Sequence, residues 1–542
     1  MGLSGKWNLS LMWFLGKFKP KAFLFCMICL VSLTLLAIFV QSFPGYFPID
    51  DSYICLGFAR NVVEHGDFFA YNHGEISTGI TSPFYALALA AFYGVVHDWH
   101  AAVLLLGVIT YLAALVTGGW LAYRIAGYWA SVGFVCLWGF SGHMALFALC
   151  GMEPMLYVAL AFGAFCAFFL RRPFVAGFLT GLAMLCRPES VFILFVMGIT
   201  LCIEAVSHLF RKEKAAFGET VVQGLKMGCG FLIPVLPWVF RCETVSNTVF
   251  SSTVAKKTHF ISLAESYQFW KQAVHMHFAG CLDNILVANI RGPDVYERFR
   301  QFVPLTLVAA LALPVFWKKQ KWFIVPFLFV PVHLFVSGRM NSDCADAERY
   351  MCLDYSLTYL YLAVLFGAFA AWAGVSFRRV VLWRGIAWIC LLSLSAMLLA
   401  DYPYHISAYQ MKSRYFYNLD YKIGEWLAKN TPENTRVALY QAGGIKFFSH
   451  RYIIDGGGVT EHTIWPYIDR GAFAEAMVDR GADFVAAFGP DWLKSEGLLM
   501  ADTRFFRQVP LQCRGLYWIN KPALKQYIEA RRAKPKFGPL AN

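Results

Sequence analysis

Two adjacent carboxylates, Asp50 and Asp51, follow the first long apolar run, Ala22 to Val40. One member of such a pair can keep a raised pKa. A single carboxylate suffices to take a proton from a hydroxyl. At the mouth of a membrane span, carboxylates are costly near lipid and usually face a cavity or pathway. Taken alone, Asp-Asp reads by default as a solvated loop pair. Further charged groups recur at the ends of later apolar runs: Glu153 in Gly151-Met152-Glu153-Pro154, Arg187 and Glu189 in Cys186-Arg187-Pro188-Glu189, Lys256 and Lys257, and Glu348 with Arg349. An arginine can fork onto a phosphate. Arg187 can instead pair with Glu189 or Glu153 and hold spans together. An acid just before a helix that opens with proline, as Glu153 does, also makes an ordinary helix start.

The elements that must position these groups are membrane spans. Of 542 residues 58% are hydrophobic and 15% charged, and the mean hydropathy is +0.51. Soluble proteins average about 25% charged residues. The net charge of +13 is explained by cytoplasmic Lys and Arg, which sets nucleic-acid binding aside. The cysteines, many inside apolar runs, read as small apolar fillers. Apolar runs fall at 22–42, 101–123, 128–148, 154–170, 174–186, 190–207, 226–241, 302–317, 322–337, 352–374 and 380–400. Phe84 to Val96 is short for a span and fits an interfacial or re-entrant segment. With the N-terminus inside, Arg124, Arg171-Arg172, Arg211 to Lys214, Lys318 to Lys321 and Arg378-Arg379 all face the cytoplasm, while the acidic loop 43–100 faces out. That gives about 11 spans and puts every charged site named above on the outer face. The alternative is that each is an ordinary interfacial residue. From Asp401 charge becomes dispersed. Helix-like stretches (Lys422–Lys429, Ala472–Asp479) and strand-like runs (Val437–Tyr440, Tyr452–Asp455, Phe484–Phe488) predict a small α/β domain outside the membrane. Gly456-Gly457-Gly458 reads as a turn, since no GxGxxG with a following helix is present.

The series Asp50-Asp51-Ser52-Tyr53-Ile54, Arg60-Asn61, Tyr71-Asn72-His73-Gly74-Glu75 and Thr81-Ser82-Pro83 resembles the first outer loop of GT-C glycosyltransferases. These are multi-span enzymes that move a sugar from a polyprenyl-phosphate carrier. The likeness is strongest to the branch of the mycobacterial terminal arabinofuranosyltransferases. Later motifs follow in order: Gly151-Met152-Glu153, Arg187-Pro188-Glu189, Asn247-Thr248 with Ala255-Lys256, and Arg349-Tyr350. His73, Pro154, Cys186 and Ser246 depart from the family pattern, which has Pro, Thr, Thr and Pro there. His73 is given no chemistry.

The resemblance implies a GT-C-like transmembrane catalytic domain over 1–400 and a periplasmic α/β domain over 401–542, in the cell inner membrane with the site facing the periplasm. Asp50 would be the base and Asp51 its support or the acceptor's guide, with the reverse assignment open. Glu153 would bind sugar or acceptor hydroxyls, or cap its helix. Arg187, with Glu189, Lys256 and Arg349 would meet the carrier phosphate; Lys256 equally suits anionic headgroups of the bilayer. The donor would be a polyprenyl-phosphate sugar, an arabinofuranose or similar pentose, and the acceptor a glycan, lipid or protein. A mannosyl- or aminoarabinose-type transferase is the alternative within the fold. A transporter or flippase of lipid-linked glycans would show inverted repeats and broken helices, which the sequence does not. No cofactor is expected, and no required metal, although Asp50, Asp51 and Glu153 could gather a hard cation.

Overall fold

Proline sets several helix starts. Pro83, Pro154 and Pro173 each open an α-helix at its first turn, where the missing N–H costs nothing and the fixed φ is already helical. The computed structural model describes residues 20–251, 253–254, 259–260, 324–337, 340–341, 349, 352–372, 377–487, 493–511 and 515–533. Its helices up to the C-terminal region are α1 (Pro20–Gln41), α2 (Asp50–His65), α3 (Pro83–Val96), α4 (Trp99–Ala126), α5 (Tyr128–Gly139), α6 (Gly142–Leu149), α7 (Pro154–Phe169), α8 (Pro173–Met184), α9 (Val191–Phe210), α10 (Lys214–Ser246), α11 (Ile324–Ser337), α12 (Cys352–Trp372) and α13 (Phe377–Phe416).

Six stretches among the described residues are long and apolar enough to cross a membrane; α5 and α6, bent by 63° at their junction, make a seventh if they count as one span. The chain is therefore a multi-pass helical membrane protein. The other expected spans correspond to the shorter helices α7, α8 and α11, of 16, 12 and 14 residues, and to the run 302–317, which lies outside the described residues. Helix α8 packs through small residues. A Cβ on Gly177 of α8 would lie 1.9 Å from the Met227 carbonyl oxygen of α10, and one on Gly181 would lie 2.6 Å from that of Phe231. Backbones that close give tight van der Waals packing where lipid offers no hydrophobic drive.

Helix α13 has 40 residues, about 60 Å at 1.5 Å per residue, twice the hydrocarbon thickness. The change of composition at Asp401 thus falls inside one continuous helix. After a π-helical turn at Tyr417–Tyr421, α14 (Lys422–Asn430) leads into a five-stranded sheet. Its strands are β1 (Arg436–Leu439), β2 (Tyr452–Asp455), β3 (Phe484–Ala486), β4 (Phe506–Gln508) and β5 (Leu516–Ile519), in the order β2-β1-β3-β5-β4. β1 runs parallel to β2 and β3, with Val437 opposite both Ile453 and Phe484; β5 is antiparallel to β3 and β4. Helix α15 (Gly443–Ser449) crosses from β1 to β2. Helices α16 (Phe473–Asp479) and α17 (Lys521–Ala533) cover one face.

Side chains alternate across a strand, and here the two faces belong to different cores. Val437, Leu439, Ile453, Phe484, Ala486 and Leu516 join the same buried cluster as the membrane helices. Ala438, Ile454 and Val485 pack with Met477, Leu524 and Ile528 into a second cluster. The sheet is thereby joined to the membrane body through one continuous apolar core.

Candidate functional site

The two leading carboxylates diverge because they are neighbours in a helix. Asp50 and Asp51 form the first turn of α2, where negative charge suits the exposed amides, and successive side chains there point about 100° apart. Asp50 is 6% exposed. Its Oδ2 accepts from the Gly443 amide at 2.9 Å and its Oδ1 from the Gly444 amide at 2.7 Å. Asp51, with a side chain 34% exposed, accepts through Oδ2 from Arg349 Nη2 at 2.7 Å. Buried Arg349 also donates from Nη1 to Met152 Sδ at 2.8 Å. The next residue, Glu153, accepts through Oε1 from Arg187 Nη1 at 2.7 Å, and Arg187 Nε donates to Glu189 Oε1 at 2.8 Å.

Asp51 with Arg349 forms one ion pair, and Arg187 with Glu153 and Glu189 forms another; Met152, which Arg349 bonds, directly precedes Glu153. Asp50 turns from both toward the C-terminal sheet. Lys256 and Glu348 lie outside the described residues. Arg187 spans two carboxylates with its own side chain 3% exposed, the ion-pair arrangement left open by the sequence. Glu153 makes no capping bond to α7. Its buried Oε2 has no hydrogen-bond partner among the described residues, which leaves it an acceptor facing inward. Asp50, Asp51 and Glu153 each answer to a different donor, and no trio of metal-ligating side chains gathers among the described residues.

One pair escaped the sequence reading. His333 of α11 and Asp354 of α12 are both buried and bonded Nδ1 to Oδ2 at 2.7 Å. Each sits singly in an apolar run; an ionisable residue at membrane depth is itself the signal that marks such groups.

The loop after α2 has a different use. Tyr71 donates its hydroxyl to the Ala442 carbonyl. The Asn72 amide donates to Ile453 O at 2.9 Å and accepts from Ile453 N at 3.0 Å, capping the open edge of β2 as another strand would. Tyr452 donates to Glu75 at 2.6 Å, and Ser77 donates to Thr460 O. Arg60 donates to Phe447 O at 2.8 Å and lies over the Phe447 ring. Tyr53, Tyr421, Phe447 and Phe448 fill the space between with tilted and edge-on ring contacts. Tyr53, Arg60, Tyr71, Asn72 and Glu75 of the first-loop motif thus hold the C-terminal region.

Within this seam the half-buried Lys446 ammonium bonds Asn72 Oδ1 and Arg451 O. Burial first, then Arg60, pushes its pKa down to about 8. His450 ends α15 in the left-handed region, φ 56°. Partial burial and the cations Arg60, Lys446 and Arg451 lower it to about 4. A folded pKa below the unfolded one gives stability that is present above pH 6.5 and lost as pH falls toward 4. His450→Asn, which tolerates the left-handed backbone, should flatten that window: the melting temperature of the variant should drop less than that of the parent between pH 7 and pH 4.5. Equal drops would show that His450 contributes nothing to the acid response.

Residues 405–532 match a family model described as a domain of unknown function, DUF8728. No curated protein matches the sequence at a significant level. Solved structures share the fold. ArnT from Cupriavidus metallidurans bound to undecaprenyl phosphate aligns over 91% of this chain and 97% of its own, with TM-score 0.53 and 11% identity. Its apo form gives 94%, 99%, 0.54 and 12%. The apo Archaeoglobus fulgidus oligosaccharyltransferase aligns over 86% of this chain and 69% of its own, with TM-score 0.54 and 13% identity. These neighbours are GT-C superfamily members, and the chain has a GT-C-like fold. At such identities the likeness is one of fold.

Proposed function

We propose that this chain is a membrane glycosyltransferase that moves a sugar from a polyprenyl-phosphate carrier to a hydroxyl acceptor, working at the periplasmic face of the cell inner membrane. The observation that carries the reading is the Asp51–Arg349 pair, a partly exposed carboxylate and a guanidinium in a GT-C-like helical body. The fold neighbour bound to undecaprenyl phosphate supports a lipid-phosphate donor. The first-loop resemblance supports a pentose such as arabinofuranose.

The acceptor hydroxyl gives its proton to a carboxylate as its oxygen bonds to the anomeric carbon. The anomeric carbon–oxygen bond to the carrier breaks, and polyprenyl phosphate leaves with added negative charge. Asp51 is the better placed base, because both Asp50 oxygens already serve backbone amides. Arg349 turns from Asp51 to the departing phosphate, where cationic stabilisation counts most; Lys256 is the second candidate cation. Glu153 takes a sugar or acceptor hydroxyl on Oε2. Arg187, held by both Glu153 and Glu189, keeps Glu153 in position, and a direct contact between Arg187 and the phosphate would need it to leave one of them.

The test is purified protein in lipid nanodiscs given polyprenyl-phosphate carriers labelled in arabinofuranose, mannose or aminoarabinose, with extracted envelope glycans and lipids as acceptors. Label should move from one carrier with matching release of polyprenyl phosphate. Label that stays on every carrier would overturn the reading.

A further inference from the structure

Gly443 and Gly444 reach the start of α2 with backbone alone. Both donate to the buried carboxylate of Asp50, and hydrogen bonds to an ionised acceptor are among the strong ones. Nothing larger fits. A Cβ on Gly443 would lie 2.0 Å from the Asp50 carbonyl oxygen, and one on Gly444 2.0 Å from the ring of Tyr421. That ring is fully buried, and its hydroxyl donates to Phe47 O at 3.2 Å, just upstream of Asp50. On the membrane side Ser52 donates to Cys150 O at 2.7 Å, close to Met152 in the chain. Farther along α2, Arg60 bonds to Phe447 O, so α15 lies beside α2 and grips it at two points.

We propose that the C-terminal sheet region completes the frame of the catalytic centre: Gly443 and Gly444 are positioning residues that fix the first turn of α2 through Asp50, and so hold Asp51 against Arg349. This rests on the transferase reading above. The backbone of Asp51 cannot shift apart from that of Asp50, because one helical turn carries both. A shift of the order of 1 Å in such a group costs on the order of 10²-fold in rate.

The experiment compares two variants in nanodiscs. Gly443→Ala should lower kcat by about 10²-fold while the donor KM stays within about twofold, the pattern of an interaction that matters in the transition state. Asn72→Ala removes bonds to β2 and Lys446 without touching α2's first turn. It should lower the melting temperature at least as much, yet keep kcat within about threefold. If kcat falls in both variants in step with melting temperature, the sheet region lends stability alone and the proposal fails. It fails equally if Gly443→Ala turns over normally. Hydrogen exchange gives a readout that needs no substrate and serves if Gly443→Ala does not fold. Asp50→Ala removes both acceptor oxygens, so it should release the amides of Gly443 and Gly444 and speed exchange in residues 50–53. Unchanged exchange would overturn the proposal. Should the parent protein transfer no sugar from any carrier, exchange still decides whether the sheet region holds α2, so the two failures are distinct.

Discussion

Replacing Asp51 by Asn should lower turnover by about 10²-fold or more while the protein stays folded, the size expected for a lost general base. The exchange keeps shape and removes basicity. It also removes the negative charge that faces Arg349 at 2.7 Å, and donor KM should fall or stay level as kcat drops. The pH profile separates the two carboxylates. Loss of a base abolishes the acid limb of kcat, whereas a shifted helix lowers the whole curve without changing its shape. Asp51→Asn should give the first pattern and Asp50→Asn the second. The opposite assignment, expected from the family likeness, is established if Asp50→Asn flattens the acid limb and Asp51→Asn keeps it. If neither variant changes turnover, the carboxylates are bystanders and the enzyme reading falls with them.

Arg187→Ala should have the largest effect on folding. The guanidinium bridges Glu153 and Glu189 in a site where its own side chain is 3% exposed and that of Glu153 5%. Deleting it leaves the buried Glu153 and the half-buried Glu189 without their shared cation, and breaking a buried pair from one side costs about 3–5 kcal/mol. Arg187→Lys should recover only part, because one ammonium lacks the fork that serves two carboxylates. A triple exchange, Arg187→Met with Glu153→Gln and Glu189→Gln, removes the charges together and should melt well above Arg187→Ala. Thermal unfolding in detergent measures all three. Should Arg187→Ala melt like the parent and lose only kcat/KM for the donor, Arg187 belongs to the phosphate after all.

What could be read from the sequence follows from contrast. Glu153, Arg187, Glu189 and Arg349 stand out because a charge at the end of an apolar run is expensive and rare; the structure pairs Arg349 with Asp51 and Arg187 with both glutamates. The strands were visible because Val437-Ala438-Leu439 and Ile453-Ile454 are apolar on consecutive positions, as in parallel strands buried on both faces. Asp50 was visible as a carboxylate, but its partners were not. They are the amides of Gly443 and Gly444, and a backbone N–H has no residue type to announce it. The same holds for Asn72, whose partners are the amide and carbonyl of Ile453. His333 and Asp354 were lost for another reason: each alone resembles an isolated polar residue in a span, and only folding brings them to 2.7 Å.

The seam between α2 and the sheet has a consequence for biogenesis. Asp50 and Gly443 are 393 positions apart, with the membrane helices between them. A chain emerging from the ribosome makes its leading carboxylates early and their clamp near the end. Contacts so distant in sequence must wait for the long closure between them. Until the last strands arrive, the first loop has neither its edge-strand partner nor its aromatic cover. The seam between α2 and the sheet is therefore a late product of synthesis, and a half-made protein inserted in the membrane holds its first carboxylates unclamped.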